Sequence, residues 1–112
     1  MSTFKKVAAR HAVHGGGFEV RFAGRNSILY SERDASGGVR VVDIHREILL
    51  GGRVECEVYL KSSSPWWKWL PPFESVALPE NDKERIAQNV RAALEFLGVS
   101  YFEAGSAPSG YF

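Results

Sequence analysis

Residues 83–98 constrain this chain more than any other segment. Ile86, Val90, Ala93, Leu94 and Leu97 recur at i, i+4, i+7, i+8 and i+11, a single apolar stripe along an α-helix. Lys83, Arg85, Arg91 and Glu95 fall on the watered side. Asn81 is placed to cap the helix with Glu84 as the reciprocal partner, and Gly98 is placed as the C′ residue. Such a stripe must bury against something, and much of the rest of the chain is written in a different period.

From Phe18 the apolar period is two. Phe18, Val20 and Phe22 alternate with Glu19 and Arg21, the mark of a half-buried strand. Gly24-Arg25-Asn26 is a turn, Ile28-Leu29-Tyr30 the heart of a second strand, and Asp34 to Gly38 a loop. A third strand is expected over 39–50 and a fourth over 54–61. Ile44, Ile48 and Leu50 want the inside of one; Val54, Cys56, Val58 and Leu60 want the inside of the other. A two-residue Gly51-Gly52 turn would set Ile48 against Glu55. A three-residue Gly51-Gly52-Arg53 loop pairs Leu50 with Val54, Ile48 with Cys56 and Ile44 with Leu60. That register places Glu47 opposite Glu57, His45 opposite Tyr59 and Asp43 opposite Lys61 on the other face. A short last strand is expected over 99–103. Before Phe18, the residues Phe4, Val7, Ala8, His11 and Ala12 have helical spacing with Thr3 as a possible cap, so 4–14 reads as a short helix or a loose extension. The fold expected is α+β: an antiparallel sheet of four to five strands with one long helix packed on one face, in the order ββββαβ.

A chain of 112 residues is one domain of modest size. With 45% hydrophobic and 24% charged residues it is neither disordered nor collagen-like. The near balance of 14 Lys and Arg with 13 Asp and Glu argues against a nucleic-acid clamp. Residues 1–40 hold seven basic and three acidic side chains and residues 41–112 seven and ten, too mild an asymmetry to name a partner. The lone Cys56 cannot close an internal disulfide, the start lacks an apolar leader core, and no stretch is long enough for a membrane span. The expectation is a cytoplasmic protein with no membrane partner.

Residues able to do chemistry are few. His14-Gly15-Gly16-Gly17 matches an esterase oxyanion loop but lacks the nucleophile elbow that motif serves. His11 and His14 lie three apart with no third ligand in view, a poor zinc site. Cys56 falls on the inward period of its strand. His45, between Asp43 and Glu47, falls on the outward one. No catalytic, cofactor-binding or metal-binding residue is assigned. The segment from Ser62 to Leu78, SSSPWWKWLPPFESVAL, is different. Pro65, Pro71 and Pro72 forbid a regular helix or central strand, while three tryptophans are too apolar to be left wholly in water. The segment is either a lid on the core or a recognition surface. In an extended segment Trp67 and Trp69 share one side and Trp66 and Lys68 the other. We expect Trp67 and Trp69 inside and Trp66 exposed.

Taken together, the order of these pieces resembles a family. It runs from the tyrosine strand (Ile28-Leu29-Tyr30-Ser31-Glu32) to the acidic-then-apolar strand (Val42-Asp43-Ile44 to Glu47-Ile48-Leu49). The glycine turn and Glu57-Val58-Tyr59-Leu60 follow, then the tryptophan–proline segment from Trp69 to Pro72 with Glu74, the capped helix and a last strand. This is similar to small immunity proteins of bacterial polymorphic toxin systems, nearest to the immunity protein 74 family. The likeness spans residues 18–103, leaving 1–17 as an N-terminal extension and 104–112 as a flexible tail. It implies a protein without catalytic activity that binds and neutralises a cognate toxin by occlusion. The family supplies no fixed contact residues. From the residues themselves, Trp66, Lys68, Asp43, His45, Glu47, Glu57 and Tyr59 are the candidate partner-binding set. The rival readings are a peptide-binding adaptor that uses the tryptophan segment, and a small hydrolase or metal enzyme that uses His11, His14 and His45.

Overall fold

A computed structural model describes residues 3–51 and 53–104. Alternation of apolar and polar side chains sets the architecture. Seven strands, β1 (Phe4–Ala8), β2 (His11–His14), β3 (Phe18–Ala23), β4 (Ser27–Arg33), β5 (Val39–Ile48), β6 (Cys56–Val58) and β7 (Tyr101–Glu103), form one sheet in chain order. The helix α1 (Glu80–Leu97) lies between β6 and β7 in sequence. All neighbouring strands are antiparallel except β6 and β7, which run parallel. The fold is α+β, with a larger sheet than four or five strands and six strands ahead of the helix.

Directly opposed residues share a face, so the registers define the core. Ala12 opposes Val20, Val20 opposes Tyr30, Tyr30 opposes Val42, and Ile28 opposes Ile44. All of these are buried, together with Cys56, Val58, Trp67 and Trp69. The helix contributes Ile86, Ala87, Val90, Ala93, Leu94 and Leu97 to the same cluster. One face of the sheet is therefore covered, and the other meets water, as antiparallel sheets allow. No helix among the described residues is long and apolar enough to cross a membrane.

The β5–β6 register is the expected one: Glu47 opposes Glu57 and Ile48 opposes Cys56. The strands are shorter than expected, for two reasons. Leu50 is not inside but 89% exposed, because it lies in the turn beyond the last ladder pair, where Gly51 takes a positive φ of 78°. Beyond Val58 the β5 edge is occupied instead by the tryptophan segment. Trp69 bridges to Val42, and the Leu70 N–H donates to the Val41 carbonyl at 2.8 Å. Continued one step, that register sets Lys68, not Lys61, beside Asp43.

Residues 4–14 form neither a helix nor a loose extension. They fold as the β1–β2 hairpin, and β2 pairs with β3 across the three-glycine turn. A register shift between Lys6 and Ala8 breaks the two-residue period and disguises it. Aromatic rings weld the hairpin to the domain. The Phe4 ring stacks on Phe96 of α1 at 5.2 Å, and His14 stacks on Phe18 at 4.5 Å. The helix begins after Pro79 with no side-chain cap, so Asn81 lies inside the first turn and caps nothing. Pro79 is the N-cap, with extended backbone at φ −69° and ψ 163°, and its carbonyl accepts from the Asp82 and Lys83 N–H groups, each at 3.0 Å. The far end matches expectation. Gly98 adopts φ 73°, its N–H donates to the Glu95 carbonyl, and the Val99 N–H donates to the Leu94 carbonyl. Of the expected 104–112 tail, residues 105–112 lie outside the described residues, as does Gly52 of the β5–β6 turn.

Polar side chains pin the helix to the sheet. Arg85 donates two hydrogen bonds to Glu32, at 2.6 and 3.0 Å. Tyr30 donates to the same carboxylate at 2.6 Å, and Asn89 donates to the Tyr30 oxygen at 3.0 Å. Arg91 grips Glu103 of β7 at 2.8 and 2.9 Å. Burial works to raise the Glu32 pKa, but the bonds from Arg85 and Tyr30 outweigh it and hold the carboxyl below its ordinary 4.5. A depressed folded pKa contributes stability above the unfolded value that is lost as pH falls through the folded one. Acidification below pH 4.5 should therefore destabilise the wild type more steeply than Glu32→Gln. Urea midpoints measured from neutral to acid pH check this; parallel profiles would show that Glu32 is not linked to acid unfolding.

Candidate functional site

Period two delivers the polar residues of β5 to the open face. Val42 and Ile44 point into the core, so Asp43, His45 and Glu47 point away from it. Glu57 arrives from β6. Tyr59 follows one residue beyond it, held by its N–H to the His45 carbonyl at 3.1 Å. The tryptophan segment completes the patch. Trp67 enters the core and its Nε1–H donates to the Lys61 carbonyl at 2.7 Å, while Trp69 takes the bridge to Val42. These two indoles are 8% and 3% exposed, against 40% for Trp66. The alternation expected for the segment is present, and it leaves Trp66 and Lys68 on the outside.

The structure brings the seven candidate residues onto one end of one face. The Trp66 ring stacks on His45 with centroids 4.5 Å apart and planes 25° from parallel. Tyr59 meets the same imidazole edge-on at 5.1 Å. His45 Nε2 lies 2.7 Å from Glu47 Oε1, and the Tyr59 hydroxyl donates to Glu57 at 3.4 Å. Partial burial pushes the Tyr59 phenol above its ordinary value, helped by the negative charges of Glu57 and Glu47. It therefore remains a protonated donor at neutral pH. The Asp43 carboxylate has no hydrogen bond or ion pair among the described residues.

Beside this patch is a cavity of about 220 Å³, walled by Asn26, Ser27, Asp43, His45, Trp66, Lys68 and Leu70. The sequence reading missed Asn26, Ser27 and Leu70. The inward setting of Ile28 already implies an outward Ser27. What the sequence withholds is the β4–β5 register, which sets Ser27 opposite His45. Leu70 is brought in by the same edge pairing that displaces Lys61. The cavity offers flat aromatic surface beside hydrogen-bond acceptors, and the patch around it, with Asp43, Glu47 and Glu57 against Lys68, is net negative, which suits recognition of a cationic group.

The other histidines are built differently. His11 and His14 lie three apart on a strand, so they point to opposite faces and do not converge. His11 pairs with Glu19 at 3.3 Å, and His14 is hydrogen bonded to the Thr3 hydroxyl. No group of three or more metal-ligating side chains occurs among the described residues. In the glycine turn, the N–H groups of Gly15, Gly16 and Gly17 are engaged by the Thr3 carbonyl, His14 Nδ1 and the His14 carbonyl. They are not aimed outward as an oxyanion hole requires. Cys56 is buried, and burial pushes its thiol up, away from the thiolate. Compared with protein-family models, with curated proteins and with solved structures, the chain finds no match in any of the three.

Proposed function

We propose that this chain is an immunity protein that binds a cognate bacterial toxin domain and neutralises it by occlusion, without catalysis of its own. The observation that carries the reading is Trp66. This large aromatic side chain is held off the core, 40% exposed, on a sheet face that also presents Asp43, Glu47 and Glu57. A partly exposed tryptophan beside the Asp43 carboxylate, which no described residue engages, is the kind of aromatic anchor that protein interfaces use. The resemblance of the order of these segments in the sequence to the immunity protein 74 family supports the same reading. Occlusion at standard interface size would cover roughly 800 Å² of this protein. The open face around Trp66 is the surface we assign to it.

Co-purification with the product of the adjacent gene tests the pairing. Glu57→Lys tests the surface. In the free protein it relieves the Glu47–Glu57 opposition, so stability should stay level or rise slightly. Against a basic toxin surface the same change should slow association and weaken binding. Unchanged association rate and affinity would move the interface off this face.

A further inference from the structure

We propose that the cavity beside Trp66 receives one arginine side chain of the partner protein. The inference rests on the reading of the open face as the partner surface, and it names the group that face recognises. Size is the first argument. At about 220 Å³ the cavity is smaller than the roughly 300–1,000 Å³ typical of drug-sized ligand sites, and suits a single long side chain.

The chemistry of the walls is the second argument. A guanidinium is planar, carries five donors and accepts nothing. It needs acceptors in its plane and a flat surface on its face. Asp43 offers a carboxylate not engaged by any described residue, and a carboxylate can accept both prongs of a guanidinium. Asn26 already donates through Nδ2 to the Arg46 carbonyl at 3.2 Å, which leaves its side-chain oxygen as acceptor. The Trp66 indole provides the ring for cation–π contact, and Leu70 provides apolar wall for the methylene stem. Arginine is favoured over lysine because an ammonium is compact, more strongly hydrated and unable to stack.

Lys68 is the opposing term, since it lies at the same cavity. It is exposed and takes part in no ion pair within 4 Å among the described residues. Asp43, Glu47 and Glu57 outnumber it on the patch. It therefore acts as a weak occupant that an incoming guanidinium displaces, and removing it should tighten binding. Glu47 and Glu57, which do not line the cavity, also favour an arginine on a basic protein surface over a free small cation, since they would meet charge around the anchor.

The test uses the full chain, without a toxin. N-acetyl-arginine amide is titrated into ¹⁵N-labelled protein, with N-acetyl-lysine amide as comparison. Saturable shifts are expected at Ser27, Asp43, Trp66 and the Trp66 indole, with a dissociation constant on the order of millimolar, the scale for one side chain. Asp43→Asn and Trp66→Ala should each weaken binding about tenfold, and Lys68→Ala should strengthen it. Equal thermal midpoints confirm that the variants are folded. Shifts that never saturate, indifference to Asp43→Asn, or equal response to lysine amide would overturn the pocket. Arginine amide binding with no toxin binding would overturn the partner reading and leave the pocket. Toxin binding indifferent to Asp43→Asn would overturn the pocket's part in recognition and leave the partner reading.

Discussion

Val90→Asp should leave the domain unfolded at room temperature. Val90 is wholly buried at the centre of the helix stripe, between Ile86 and Leu94, which are buried as well. The substitution places a carboxylate among apolar side chains with no cation assigned to meet it. The penalty is several kcal/mol even after the group takes up a proton, a large share of the ~5–15 kcal/mol that holds a typical domain folded. Gln88→Asp, on the exposed side of the same helix, is the control for charge and helix propensity. Far-ultraviolet circular dichroism with thermal melts reads both. An unchanged midpoint for Val90→Asp would mean that the stripe does not face the sheet.

The next largest effects are expected in the tryptophan segment, where two neighbouring indoles should behave oppositely. Trp69→Ala should cost about 3–5 kcal/mol, the range for truncating a large core aromatic. Trp67→Ala should fall in the same range, and it also strips the Lys61 carbonyl of its donor. Trp66→Ala removes a stack on His45 at the surface and should cost stability less than about 1 kcal/mol, while lowering toxin affinity by roughly 2 kcal/mol or more. Substitution by Phe separates the two buried rings further. Trp69 Nε1 has no hydrogen-bond partner among the described residues, so Trp69→Phe forfeits volume and part of the ring under the Arg40 guanidinium but no hydrogen bond, whereas Trp67→Phe also forfeits a bond. Urea denaturation orders the stabilities and titration calorimetry the affinities. If Trp66→Ala proves the most destabilising of the three, the inside–outside assignment is reversed.

How far the sequence could be read depended on how local the physics was. The helix stripe, Gly98, and the strands around Val20 and Ile28 follow from periodicity, which neighbouring residues impose on one another. The β5–β6 register was legible because a slip of one residue sets Ile48 against a charge. The β1–β2 hairpin was not, because the shift between Lys6 and Ala8 leaves Phe4, Val7, Ala8, His11 and Ala12 at helix-like intervals. The start of α1 was misplaced because Asn81 and Glu84 make a plausible capping pair, and Pro79 pre-empts them by two residues. For the site, the shared outward setting of Asp43, His45, Glu47, Glu57 and Tyr59 came from alternation. Trp66 meeting His45 did not, since it needs the segment after Pro65 to fold back along the β5 edge, a tertiary pairing with no sequence period.

The order of the strands bears on how the molecule assembles. Six strands lie side by side in the order in which they occur, so each can zip onto its predecessor by closing a short loop, and short loops close at small entropic cost. The last pairing is of another kind. β7 joins β6 in parallel, which antiparallel zipping cannot achieve, and it must wait for the chain between Val58 and Tyr101 to cross over and come back. That crossover contains both the tryptophan segment and the helix. Local steps thus build a sheet whose apolar face is bare until one long-range step covers it, and topology of that sort sets the pace of folding. The interval before the helix docks is when this chain is most exposed to self-association.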